Sequence, residues 1–157
     1  MSGVGQVLTL GVGEERFAIP VTSVQEILDT RPITRLPDAP SHILGVIDVR
    51  GKSVAVLDLG LLLGKGWIED DESTRIVVLR LPLRGGDAVL ALKADRVFEV
   101  TELDGDALEP LPEARLLDWN ARLVTGLGRK GGGFVALLDV ERMLRTEDAG
   151  GGFVLAA

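Results

Sequence analysis

The two halves of this chain repeat one another, and that constrains the fold more than any single motif. Val24 opens the string VQEI, and Val97 opens VFEV, 73 residues on. The Leu-Pro pair at Leu36 recurs at Leu111, and AVLDL from Ala55 recurs as ALLDV from Ala136, at offsets of 75 and 81. Three matches in one order, with slowly growing offsets, indicate a duplicated unit separated by loop insertions. Each unit reads as strands: short apolar runs, rich in β-branched residues and Leu, bounded by turn residues. Glycine supplies 20 of the 157 residues, about twice the usual ~7% share, which fits many tight turns. We therefore expect two similar all-β units, roughly 6–70 and 71–145, followed by a Gly-hinged tail, 146–157. Units this small bury a limited fraction of their surface alone. They should pack side by side and leave a groove between them.

Within the units, GVIDVRGKSVAVLDL (Gly45–Leu59) is two apolar runs around an Arg-Gly turn, a hairpin with Arg50 at its tip. DLGLLLG and DVERML follow the repeated strands. Asp58 and Asp139 hold equivalent positions before them, where an aspartate caps a short helical turn. DGDALEPLPEARLLDWNA (Asp104–Ala121) reads as a loop.

Several functions are disfavoured. The formal net charge of −7 argues against nucleic acid and anionic membranes, which need a basic face. There is no cysteine, so no disulfide, thiolate metal site or cysteine nucleophile. The N-terminal MSGVGQVLTL lacks a signal peptide's pattern, and no apolar run approaches the ~18 residues of a membrane span. A cytoplasmic protein with no direct membrane insertion is expected. RGKS fails as a phosphate loop because Val46 stands where the first glycine must be and a strand, not a helix, follows. GLGRKG (Gly126–Gly131) fits a dinucleotide pattern in letters but also runs into a strand. His42 is the one histidine and the chain has no cysteine, so a transition-metal site would rest on carboxylates alone. EDDES (Glu69–Ser73) lacks the spacing of a calcium loop. No G-x-S-x-G elbow is present. No cofactor, no metal and no catalysis are expected.

With those set aside, VQEI, TRLPDAPSHILGVIDVRGKSVAVLDLGLLLG and LVTGLGRKGGGFVALLDVERML together resemble the CheW family of chemotaxis coupling proteins. The resemblance runs from about Gln6 to Leu144. It implies two five-stranded SH3-like β-barrels packed side by side, with short helical turns and no enzymatic activity. It implies a scaffold between the regulatory domain of a CheA-type histidine kinase and the cytoplasmic tip of chemoreceptors. A CheW-like scaffold of a parallel motility or developmental kinase pathway would look the same. Carried over position by position, the resemblance marks Val24, Glu26, Gly45, Arg50, Gly51, Asp95 and Val97 as interaction residues. Lys93, Arg96 and Leu44 depart from what many members carry, and those departures bear on which receptor or kinase is bound. Arg50 suits a contact, because its planar guanidinium can bridge carboxylates or carbonyls bidentately. It equally suits an internal brace, with Glu26 or Asp48 as partner.

Overall fold

The structure is a computed structural model that describes residues 5–83, 85–109 and 123–142. The tail and most of the loop expected over Asp104–Ala121 lie outside the described residues.

The chain opens with a hairpin, β1 (Gln6–Val12) and β2 (Glu15–Pro20). A 3-10 turn over Val21–Ser23 leads into β3 (Val24–Asp29). After the proline-rich segment come β4 (Ile43–Val49), β5 (Lys52–Asp58) and the one-turn helix α1 (Leu59–Leu62). The second repeat supplies β6 (Arg75–Leu83), β7 (Gly86–Ala94), β8 (Arg96–Glu102), β9 (Asp104–Glu109), β10 (Val124–Lys130) and β11 (Gly133–Leu138). One sheet has the order β3-β6-β7-β5-β4, and the other β8-β1-β2-β11-β10-β9.

These orders confirm the duplication. In each sheet an antiparallel hairpin (β6–β7 or β1–β2) has an edge strand (β3 or β8) on one side. On its other side it pairs in parallel with a strand of a second hairpin (β5 of β4–β5, or β11 of β10–β11). The sheets do not follow the sequence halves, however. The opening hairpin β1–β2 sits with strands of the second repeat, and β6–β7 sits with strands of the first. Each repeat lends its leading hairpin to the other's barrel, so the expected division near residue 70 does not separate the barrels.

A second difference is strand count. One sheet has five strands and the other six, because β9 lies in the segment read as loop. Its Asp-Gly-Asp start carries no strand pattern. Its register with β10 rests on Leu127↔Glu109 and Arg129↔Asp104.

Burial follows from alternation along the strands. In β6, Ile76 and Val78 point into the five-stranded barrel with Ile47, Val54 and Val56, while Val77 and Leu79 point the other way. In β1, Val7 faces the second barrel's interior with Ala18 and Val135, while Leu8 and Leu10 face outward. The outward sets, with Ile19, Leu57, Leu90, Leu92 and Leu138, form one cluster between the barrels. Both faces of the central strands are thus buried, which is why the run Ile76–Leu79 is wholly apolar. Each fully buried Leu or Ile contributes about 1.5–3 kcal/mol, and many of them lie in the shared cluster.

Asp58 and Asp139 are the expected caps. Asp58 is wholly buried; its Oδ1 accepts from Leu61 N at 3.1 Å and its Oδ2 from Ile68 N at 2.9 Å. Asp139 Oδ1 accepts from Arg142 N at 3.0 Å.

Candidate protein interface

The β4–β5 hairpin turns on two residues, Arg50 and Gly51, at φ +53° and +84°. Two left-handed residues in a two-residue loop make the turn that suits the right-handed twist of strands. Glycine adopts this conformation freely and Asn tolerates it, but arginine pays a strain of about 1–2 kcal/mol. Asp48 steadies the turn by accepting from Gly51 N at 2.8 Å.

Arg50 does not pair with Asp48. Its Nη2 donates to Glu26 Oε1 at 3.2 Å, and the arginine side chain stays 81% exposed against 18% for the glutamate. Glu26 lies on β3, the opposite edge of the five-stranded sheet from β4. The contact therefore spans the place where the curled sheet brings its two edges together. The same seam is closed by backbone: Thr34 N donates to Val46 O at 2.9 Å, and Val46 N to Thr34 O at 2.8 Å.

That seam explains Gly45. It is buried, with φ +144°, and a Cβ there would lie 2.0 Å from Thr34 O. Any side chain would push the crossing strand away. The position is required by packing.

Asp95 and Val97 form a second group. Asp95 Oδ2 accepts from Gly13 N at 2.5 Å, and Asp95 N donates to Gly11 O at 3.0 Å. The β7–β8 turn is thereby tied to the β1–β2 turn. Val97 is half-buried and packs against the central cluster, as does Val24 on β3. Between Val97 and Glu99 the edge strand β8 bulges: Thr9 pairs with Glu99 and Leu10 with Val97. The bulge turns Phe98 over Gly11, and the Arg16 guanidinium stacks 4.1 Å from its ring centroid. Phe98 and Val100 are exposed apolar side chains on this strand. The resemblance marked Val97 and neither of these two, and strand alternation alone does not reveal a bulge.

A cleft of about 450 Å³ lies between α1 and the six-stranded sheet, lined by Phe17, Leu61, Leu62, Leu63, Leu123 and Val124. Neither Val24 nor Val97 lines it. A Lys65–Glu15 ion pair bridges its rim.

At the far edge of the six-stranded sheet, Arg129 Nε donates to Glu109 Oε2 at 2.5 Å. That hydrogen bond holds the Glu109 carboxyl below the usual range, partly opposed by desolvation and helped by the arginine's charge. Among the described residues, no group of three His, Asp or Glu side chains is placed to hold a metal ion. Among them, too, no helix is long and apolar enough to cross a membrane.

Comparison with known proteins gives a consistent result. The CheW-like domain family model matches residues 6–148. The chain is 32% identical over 146 residues to the chemotaxis protein CheW of Klebsiella aerogenes, covering 92% of this chain and 85% of that one. It is 29% identical over 136 residues to the chemotaxis protein CheW of Helicobacter pylori, covering 87% and 79%. Among solved structures, the scaffolding protein TtCheW from Thermoanaerobacter tengcongensis superposes with a TM-score of 0.75 at 24% identity, covering 88% of this chain and 86% of that one. The last match speaks to the fold: two SH3-like barrels.

Proposed function

The chain belongs to the CheW-like domain family, and on that premise we propose that it is a non-catalytic coupling protein of chemotaxis. It joins the regulatory domain of a CheA-type histidine kinase to the cytoplasmic tip of chemoreceptors, and it works in the cytoplasm. The hairpin tip at Arg50 and Gly51, with Glu26 behind it, is one contact surface. The exposed side of β8 is another.

The observation that carries this reading is the conformation of Arg50. Arginine at φ +53° costs about 1–2 kcal/mol that Gly or Asn would avoid. Its ion pair with Glu26 joins an 81% exposed side chain to a mostly covered one. A pair open to water on one side returns about 0–1 kcal/mol. The brace does not offset the strain. A strained residue that the fold does not need points to function. Most of the guanidinium's donors face solvent, where a partner's carboxylates or carbonyls can meet them.

The test is co-assembly. Purified chain, a CheA-type kinase from the same cell and a receptor cytoplasmic fragment are mixed and sedimented together. A ternary complex whose kinase activity depends on this chain supports the proposal. Failure to capture either partner, with the chain folded, overturns it.

A further inference from the structure

Strands β2, β1 and β8 carry two arginines that have no carboxylate partner in the fold. Gly11 on β1 pairs with Arg16 on β2 and with Arg96 on β8. Directly opposed residues share a face, so Arg16, Gly11 and Arg96 form one row across three strands. The two arginine backbones are two strand spacings apart, about 10 Å. Both residues are exposed. Among the described residues neither has a carboxylate within ion-pair distance, whereas Arg50, Arg75, Arg80 and Arg129 each do. Two neighbouring carboxylates are held elsewhere: Asp95 accepts from Gly13 N, and Glu15 pairs with Lys65.

Phe98 lies over the middle of this row. Gly11 makes the room, since a Cβ there would lie 3.1 Å from both Phe98 Cε2 and Arg96 Cγ. Its backbone is not left-handed, so glycine supplies space at this position and not conformation. The Arg16 guanidinium stacks 4.1 Å from the ring centroid. Stacking uses the face of a guanidinium and leaves its in-plane N–H donors free. A group already held flat on a ring gives up less freedom when it grips a ligand. The ring is itself 39% exposed, and Val100 on the same strand is 49% exposed. We propose that Arg16, Arg96 and Phe98 form a charge-selecting site for a partner segment that carries an aspartate or glutamate beside an apolar side chain. The carboxylate bridges the two guanidiniums and relieves the repulsion between them, while the apolar side chain lies on Phe98 and Val100. This rests on the reading of β8 as a contact surface and adds which partners that surface selects. The chain's net charge of −7 makes such selection informative, because the protein as a whole repels an acidic segment.

The probe is a short peptide of alternating leucine and glutamate, titrated into the nitrogen-15-labelled chain and followed by NMR. Leucine–glutamine and leucine–lysine peptides of the same length are the controls. The glutamate peptide should shift the Nε–H signals of Arg16 and Arg96 and the β8 amides, and the glutamine peptide should bind about tenfold more weakly. Arg16→Gln with Arg96→Gln, at exposed side chains, should melt as the wild type does and bind the two peptides alike. Arg16→Glu with Arg96→Glu should reverse the choice and prefer the lysine peptide. Phe98→Ala should weaken the glutamate and glutamine peptides in equal proportion. Arg50→Asn, at the other surface, should bind as wild type does. The proposal is overturned if the wild type binds the glutamate and glutamine peptides alike, if it binds neither, or if the double glutamine variant keeps the preference. Self-association of the wild type that vanishes in that variant, measured by sedimentation, also overturns it by making a second copy the occupant. Intact glutamate selection without capture of a receptor fragment would sink the coupling function and leave this site standing. Normal co-assembly without glutamate selection would do the reverse.

Discussion

Replacing Gly45 by alanine puts a methyl group where the Thr34 backbone already lies. The new Cβ falls 2.0 Å from Thr34 O and 2.7 Å from Thr34 C, so the crossing strand must move. Movement breaks the two hydrogen bonds between Thr34 and Val46, about 1 kcal/mol each. The φ of +144° adds strain of about 1–3 kcal/mol for a residue with a side chain. The sum is about 3–5 kcal/mol, and at this size each kcal/mol lowers the melting temperature by about 2–4 °C. Thermal unfolding followed by circular dichroism should show a loss of about 6–20 °C. Gly51→Ala is the control, because nothing lies within 4 Å of its added Cβ and only the left-handed φ of +84° is penalised. Its loss should be about 1–2 kcal/mol. If the two variants melt alike, the close approach at Gly45 is not what the position demands, and the closed seam is wrong.

Other consequences are separable by assay. Asp58→Ala leaves the Leu61 and Ile68 amides without their acceptor and should cost about 2–4 kcal/mol in denaturant unfolding. Asp139→Ala, at a partly exposed cap, should cost about 1 kcal/mol. Because Val97 packs on the central cluster, Val97→Asp should lower the melting temperature along with receptor binding. Phe98→Ala and Val100→Ser should lower receptor binding with near-native melting. Glu109 should titrate below the ordinary glutamate range in carboxyl NMR, and Arg129→Gln should return it upward. A depressed folded-state pKa means that the stabilisation is present above the ordinary range and is lost as pH falls through the lowered value.

The repeat, the hairpin with Arg50 at its tip and the twin caps Asp58 and Asp139 were legible because each rests on local chemistry: a repeated string, a turn, a side chain accepting from a nearby amide. Which hairpin joins which barrel was not legible. β1 and β6 are both apolar on both faces, so either would satisfy either sheet, and no residue labels the choice. β9 was hidden because Asp104 and Gly105 punctuate like a loop. At the candidate site, Glu26 as Arg50's partner was one of two open choices. Curling of the sheet decided it by bringing the β3 edge under the hairpin. The packing role of Gly45 and the bracing role of Asp95 depend on the Thr34 crossing and the Gly13 turn, which no local string shows.

The most direct test of the central claim, that the hairpin tip is kept for contact at the expense of the turn, is Arg50→Asn. Asn-Gly is the favoured pair for a turn with two left-handed residues. Asparagine should relieve strain that the lost Glu26 pair hardly offsets, so the variant should melt at or above wild type. Its affinity for the kinase regulatory domain, measured by titration calorimetry, should fall tenfold or more, since a charge-assisted contact at a desolvated interface is worth about 1.5–3 kcal/mol. An Arg50→Asn chain that binds the kinase as tightly as wild type, or that weakens only in step with a lower melting temperature, contradicts the account.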